Sequence, residues 1–111
     1  MKIYKVIVTP DAEADLLEIG DYIAFKLLQP ETALEYVYDL RDGISDLSYM
    51  GASIAPVPVE PWHSRGLRKI LVKKFYIYYL PDDESDTISV MNVIYCERDQ
   101  IKALREKLNM K

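Results

Sequence analysis

One histidine, one tryptophan, one cysteine and four glycines are all that 111 residues contain of these types, and each scarcity excludes something. A single cysteine, Cys96, cannot close an intrachain disulfide, so a reducing compartment, the cytoplasm, is expected. With no histidine nearby to activate it, Cys96 reads as a small core residue and not as a nucleophile. The lone His63 has no Cys, Asp or second His at ligand spacing, so no metal and no cofactor are expected, and it reads as a surface-loop histidine. No apolar run reaches about 18 residues and no basic-then-apolar leader opens the chain, which predicts neither a membrane span nor a secretory signal. Internal repeats and low-complexity segments are also missing.

What is present fits one compact domain over residues 1–111. Half of the residues are apolar, enough to bury a real core with limited stability to spare. The net charge of −4 hides a division. Residues 1–60 hold four Lys and Arg against eleven Asp and Glu, a net of −7, while residues 61–111 hold ten against seven, a net of +3. A chain that works on phosphates is more often basic throughout, so this balance favours a protein target over RNA.

Lys2 to Val8 carries apolar residues on both alternating faces, as in a strand inside a sheet. Thr9-Pro10-Asp11 then supplies an N-cap, a proline for the first helical position and an early acid. The first helix is predicted from Pro10 to about Leu28, with Ala12, Leu16, Ile19, Ile23 and Leu27 on one stripe. Gly20 is costly there unless a close helix contact requires it. Gln29-Pro30-Glu31 starts a second helix carrying Ala33, Val37, Leu40, Ile44 and Leu47, so the pair reads as an antiparallel αα-hairpin. Gly51 to Pro61, with its three prolines, reads as an extended loop. Gln100 to Lys111 carries Ile101, Leu104 and Leu108 as a short final helix, with Asp99 as its N-cap.

Between the loop and that helix, β-branched and aromatic residues fill Leu67–Leu80 and Thr87–Cys96. Pro81 and four acids separate the two runs, which predicts a β-meander. Five cations, Arg65, Arg68, Lys69, Lys73 and Lys74, come with no acid among them, and Arg98 follows the last strand. Alternation assigns Arg68, Ile70, Val72 and Lys74 to one face and Lys69, Leu71 and Lys73 to the other, so the cations cannot all share a face. They read equally well as edge charges that discourage strand pairing. Tyr76, Tyr78, Tyr79 and Tyr95 could stack bases, although tyrosine is also a favoured strand residue that packs.

The order of Gly66-Leu67-Arg68, Tyr79, the acidic Asp82-Asp83 turn and Val93-Ile94-Tyr95-Cys96-Glu97-Arg98-Asp99 resembles the RelE/ParE toxins of bacterial type II toxin–antitoxin systems, the plasmid-stabilisation proteins. The opening Tyr4-Lys5-Val6-Ile7-Val8-Thr9-Pro10, with Ala14-Asp15-Leu16 and Tyr22-Ile23, is similar to theirs as well. The resemblance implies an α+β fold, βααβββ(α), in which a twisted and mainly antiparallel sheet packs against the hairpin. It also implies a growth-inhibiting toxin neutralised by a cognate antitoxin. In RelE-like members, which cut mRNA on the translating ribosome without a metal, Arg and Lys stabilise charge on phosphate and a C-terminal Tyr or His moves the proton. Here Arg65, Arg68, Lys73, Tyr95 and Arg98 would carry that chemistry. The arginine such members have in the third strand is replaced by Tyr76, and Glu97 replaces a second cation. ParE-like members poison DNA gyrase with no known hydrolytic centre, and the longer hairpin and incomplete cleavage set resemble theirs; an interaction domain without toxicity is the third reading. Charge division adds an expectation for the partner. An acidic antitoxin segment should lie on the cationic sheet near Trp62, Arg68, Lys69, Lys73 and Lys74.

Overall fold

The computed structural model describes residues 2–109. Strand β1 (Lys5–Val8) leads into helix α1 (Pro10–Asp21), which runs on through one π-helical turn (Tyr22–Lys26). Helix α2 (Pro30–Met50) returns antiparallel to it and ends in a 3-10 turn at Gly51–Ser53. A one-turn helix α3 (Trp62–Arg65) precedes β2 (Arg68–Val72), β3 (Phe75–Asp82), β4 (Thr87–Tyr95) and helix α4 (Gln100–Lys107). The sheet order is β1-β4-β3-β2, with β1 parallel to β4 and the other pairs antiparallel. This is the expected mixed α+β arrangement, an open sheet with the hairpin on one face.

The starts of the helices follow local rules. Thr9 Oγ1 accepts from the Ala12 amide at 3.2 Å and Asp99 Oδ1 from the Lys102 amide at 3.1 Å, so both act as N-caps. Pro10 and Pro30 open α1 and α2, where a missing N–H costs nothing. The hairpin buries Ala12, Leu16 and Ile23 from its first arm and Ala33, Leu40, Ile44 and Leu47 from its second. Ile19 and Val37 are partly buried, and Leu27 is exposed. Gly20 sits where an added Cβ would lie 3.2 Å from Val37 Cγ2, the close helix contact that accounts for a mid-helix glycine.

Four sequence expectations change. The first stretch has both faces apolar yet β1 lies at the sheet edge, pairing only with β4, with Tyr4, Val6 and Val8 packed on the core while Ile3 and Ile7 stay exposed. The stretch around His63 is not loop but helix, closed by Gly66 at φ +82°, a left-handed conformation that favours glycine. Trp62 does not face a partner: it is 2% exposed, and its Nε1 donates to the Leu108 carbonyl at 2.7 Å. The final helix is shorter than Gln100 to Lys111, and Met110 and Lys111 lie outside the described residues.

The sheet separates two apolar clusters. Tyr4, Leu16, Leu40, Ile44, Leu47, Ile77, Tyr79, Ile88, Val90 and Val93 pack on the hairpin side, while Val57, Trp62, Leu67, Tyr78, Ile94, Leu104 and Leu108 pack on the α4 side. A β-bulge at Tyr78/Tyr79 pairs Tyr78 with Asn92 but Tyr79 with Val90, leaving Met91 as the extra residue. An extra residue reverses which side chains point up. The bulge therefore turns Val93 to the same face as Ile88 and Val90, and carries Tyr95 with it.

Candidate functional site

Under the tip of the hairpin, where its two arms connect, is a cleft of about 570 Å³. Ile19, Tyr22, Ile23, Leu27 and Tyr36 wall it from the helices, and Phe75, Val93 and Tyr95 from the sheet. Lys74, Arg98 and Lys107 line it as well. Phe75 is the hinge of its aromatic wall: its ring lies 5.6 Å from that of Tyr95 and meets Tyr36 edge-on at 6.2 Å. Aromatic surface beside cations can hold a flat apolar group that carries a negative charge.

The floor is organised by a residue that sequence reading treated only as part of a family pattern. Asp15 is buried in α1, and its Oδ2 accepts from Asn92 Nδ2 at 3.0 Å and from the Val93 amide at 2.9 Å. Its Oδ1 meets Lys107 Nζ at 2.9 Å. One carboxylate thus ties α1, β4 and α4 together, and every bond to it is charge-assisted. The signal available beforehand was weak: Asp15 sits beside Leu16 on the apolar stripe of helix one, where a carboxylate requires a partner.

The cations read from the sequence go to separate places. Arg65 is exposed at the end of α3. Arg68 faces the hairpin, donates from Nη1 to the Ala52 carbonyl, and has a buried Nε with no partner. Lys69 lies on the other face with its Nζ 4.1 Å above the Tyr76 ring. Lys73, at φ +56° in the β2–β3 turn, pairs with Asp39 at 3.1 Å, which raises its pKa. Lys74 alone of the five reaches the cleft. At the cleft, Arg98 pairs loosely with Glu106 at 3.7 Å.

The residues named for cleavage are thus far apart. Arg68 stands opposite Tyr79 and Tyr95 opposite Phe75, at different rungs of β3. Four residues of strand separate those rungs, about 13 Å, and β2 and β4 flank β3 about 10 Å from each other. Tyr95 and Arg98 do share the cleft. The Tyr95 hydroxyl donates to Glu97 Oε2 at 2.6 Å, and that hydrogen bond raises its pKa, which makes it a poorer proton donor. His63 Nδ1 donates to the Val57 carbonyl at 2.9 Å and pins the preceding loop. Cys96 is partly buried in the turn after β4, its amide bonded to the Lys74 carbonyl. Among the described residues no three His, Cys, Asp or Glu converge as a metal site, and no helix is long and apolar enough to cross a membrane.

The family model described as "ParE toxin of type II toxin-antitoxin system, parDE" matches residues 6–100. Three solved structures share the fold. A chromosomal ParDE toxin–antitoxin system from P. aeruginosa aligns at TM-score 0.71 and 24% identity, covering 86% of this chain and 98% of that one. An E. coli RelE toxin mutant in the free state aligns at 0.61 and 13%, covering 91% and 92%. The RelBE2 toxin–antitoxin complex from Mycobacterium tuberculosis aligns at 0.54 and 21%, covering 84% and 98%. No curated protein matches the chain at a significant level.

Proposed function

Because the chain belongs to the ParE toxin family of type II toxin–antitoxin systems, we propose that it arrests growth by binding DNA gyrase and that a cognate antitoxin neutralises it. The observation that carries the target is the dispersal of the cleavage set. Phosphoryl chemistry without a metal needs donors converging where charge develops, within hydrogen-bonding reach of one phosphate. Arg68 and Tyr95 are at different rungs and on different strands, Lys73 is held by Asp39, and Tyr76 supplies no guanidinium. A toxin built this way acts by occupying a protein surface. The hairpin half, acidic and exposed, is also the wrong charge for an RNA backbone.

The partner reading is supported by the solved relatives, two of which are toxin–antitoxin assemblies. An acidic antitoxin segment would meet Arg68, Lys69, Lys73 and Lys74 only by wrapping around the β2–β3 edge, since these cations lie on different surfaces, and Trp62 contributes from beneath as core. The RelE-like alternative rests on Tyr95 and Arg98 sharing one cleft with Lys74 and Lys107.

Expression of the chain in bacteria, with supercoiling and translation read out separately, tests these readings. Arrest with DNA breaks and loss of supercoiling is expected. Ribosome-bound mRNA cuts that vanish in Tyr95→Phe would replace gyrase with the ribosome, and unimpaired growth would leave a binding domain without toxicity.

A further inference from the structure

Outward-facing positions of the hairpin are filled with large apolar residues that the fold does not use. Leu17 is 65% exposed, Phe25 74%, Leu34 73% and Tyr38 71%, and Leu28 at the tip is exposed too. The core positions of the same helices are already occupied by Ala12, Leu16, Ile23, Leu40, Ile44 and Leu47, so these outer residues are surplus to folding. The turns that carry them adjoin. Gly20 packs on Val37, and Arg41 of α2 bonds both oxygens of Glu13 at 3.1 and 3.0 Å. That antiparallel register brings the turn of Leu17 beside that of Tyr38, and the turn of Phe25 beside that of Leu34. The π-helical turn that carries Phe25 interrupts α1 at this place, and such single turns are frequent at functional sites. A shallow groove lined by Ala14, Leu17, Tyr22 and Phe25 runs along the same surface.

Charge decides what can lie there. Residues 10–50 hold ten acids and two cations. Glu18, Asp21, Glu31, Glu35 and Asp42 are exposed, and no ion pair among the described residues engages them. Arg41 is committed to Glu13, which leaves Lys26 as the counter-charge. Such a field repels nucleic acid, an anionic bilayer and a second copy of the same face. It attracts an apolar stripe bordered by cations.

We propose that the outer face of the hairpin docks an amphipathic helix of a partner protein whose apolar stripe is flanked by lysine or arginine. Leu17, Phe25, Leu34 and Tyr38 receive the stripe, and Glu18, Asp21, Glu35 and Asp42 meet its cations. This surface lies on the side of the hairpin away from the sheet and apart from the β2–β3 cations, and it borders the cleft along Glu18 and Tyr22, which line both. It goes beyond the toxin reading and holds whether or not the chain arrests growth.

Three synthetic peptides of about 18 residues, long enough to become helical on binding, test it against isotope-labelled protein by amide chemical-shift titration. One has a leucine stripe with lysine flanks, the second has the same composition with the stripe scrambled, and the third has the leucine stripe with glutamate flanks. The first is expected to shift amides of residues 13–28 and 34–42 and to bind at least about tenfold more tightly than the others. Added salt and the double substitution Leu17→Ser with Tyr38→Ser should each weaken it, while Leu71→Ser, an exposed leucine on β2, should not. Circular dichroism checks that the variants stay folded. Equal binding of the scrambled peptide, preference for the glutamate peptide, or shifts confined to the sheet would overturn the proposal. Toxicity is scored apart from binding, so a harmless chain that still binds the lysine peptide counts against the toxin reading alone.

Discussion

The two faces of the sheet are covered by different means. On one, the hairpin lays down two long amphipathic arms whose buried residues recur every three or four positions, so the cover is held by many equivalent contacts. On the other, one tryptophan, a one-turn helix and the eight residues of α4 make the cover, and single bonds fix it. Trp62 Nε1 to Leu108, Tyr78 Oη to Gln100 and Lys107 to Asp15 are those bonds. Burial spread over a periodic surface is insensitive to any one polar group, whereas a small cover depends on its anchors. The hairpin face is thus the stable platform and the α4 face the part most easily opened.

Substitutions on the two sides can break or sharpen that contrast. The largest effect is expected from Trp62→Ala, about 3–5 kcal/mol, against about 2–5 kcal/mol for Leu40→Ala or Ile44→Ala on the hairpin side. Urea titration measures all three. A loss below about 1 kcal/mol for Trp62→Ala would make the α4 cover dispensable and end the comparison. Asp15→Asn comes next. It keeps the shape but removes the charge that Lys107, Asn92 and the Val93 amide converge on, at a cost of about 1–3 kcal/mol. Hydrogen exchange should show α4 amides losing protection before those of α2, and equal loss in both helices would contradict the hierarchy.

Each face also buries a tyrosine at the centre of the sheet, Tyr79 on the hairpin side and Tyr78 on the α4 side, and burial pushes both phenols up to about 12. The folded state thus keeps protons that the unfolded chain releases near its ordinary value of about 10. The corresponding stability is complete below about pH 10 and is lost as pH rises through about 12. Unfolding followed by circular dichroism, with phenolate absorbance alongside, should become steeper over that window. Tyr78→Phe and Tyr79→Phe should each flatten it, and an unchanged slope in both would place the alkaline transition elsewhere. The smallest effect is expected at the caps. Asp99→Ala should cost about 1 kcal/mol, seen as fraying of α4 alone, and Thr9→Ala a similar amount seen in α1.

Much of this fold was legible because its signals are local. The Thr9 and Asp99 caps, the prolines at 10 and 30, the stripes of both hairpin arms and the acidic turn between β3 and β4 each act within a few residues. Period and capping chemistry therefore assigned them. The edge position of β1 was not legible, because two apolar faces look alike whether a strand has one neighbour or two. Trp62 looked like a partner residue because it borders cations, and only the arrival of Leu108 from the far end of the chain buries it. The cations of the meander looked like one patch because they are close in sequence, yet strand alternation and the turn at Lys73 send them to different surfaces.

The sequence by itself determined the α+β class, the hairpin, the division of charge and the likeness to a toxin family, since these depend on residue order and short-range periodicity. Tertiary structure alone decided the cleft. The bulge at Tyr78/Tyr79 reverses the facing of β4, turning Val93 and Tyr95 toward the hairpin, and Asp15 finds its three partners 77 or more residues away. A one-residue shift in pairing and a contact between distant segments leave no trace in local pattern, because both are fixed by which strand lies beside which.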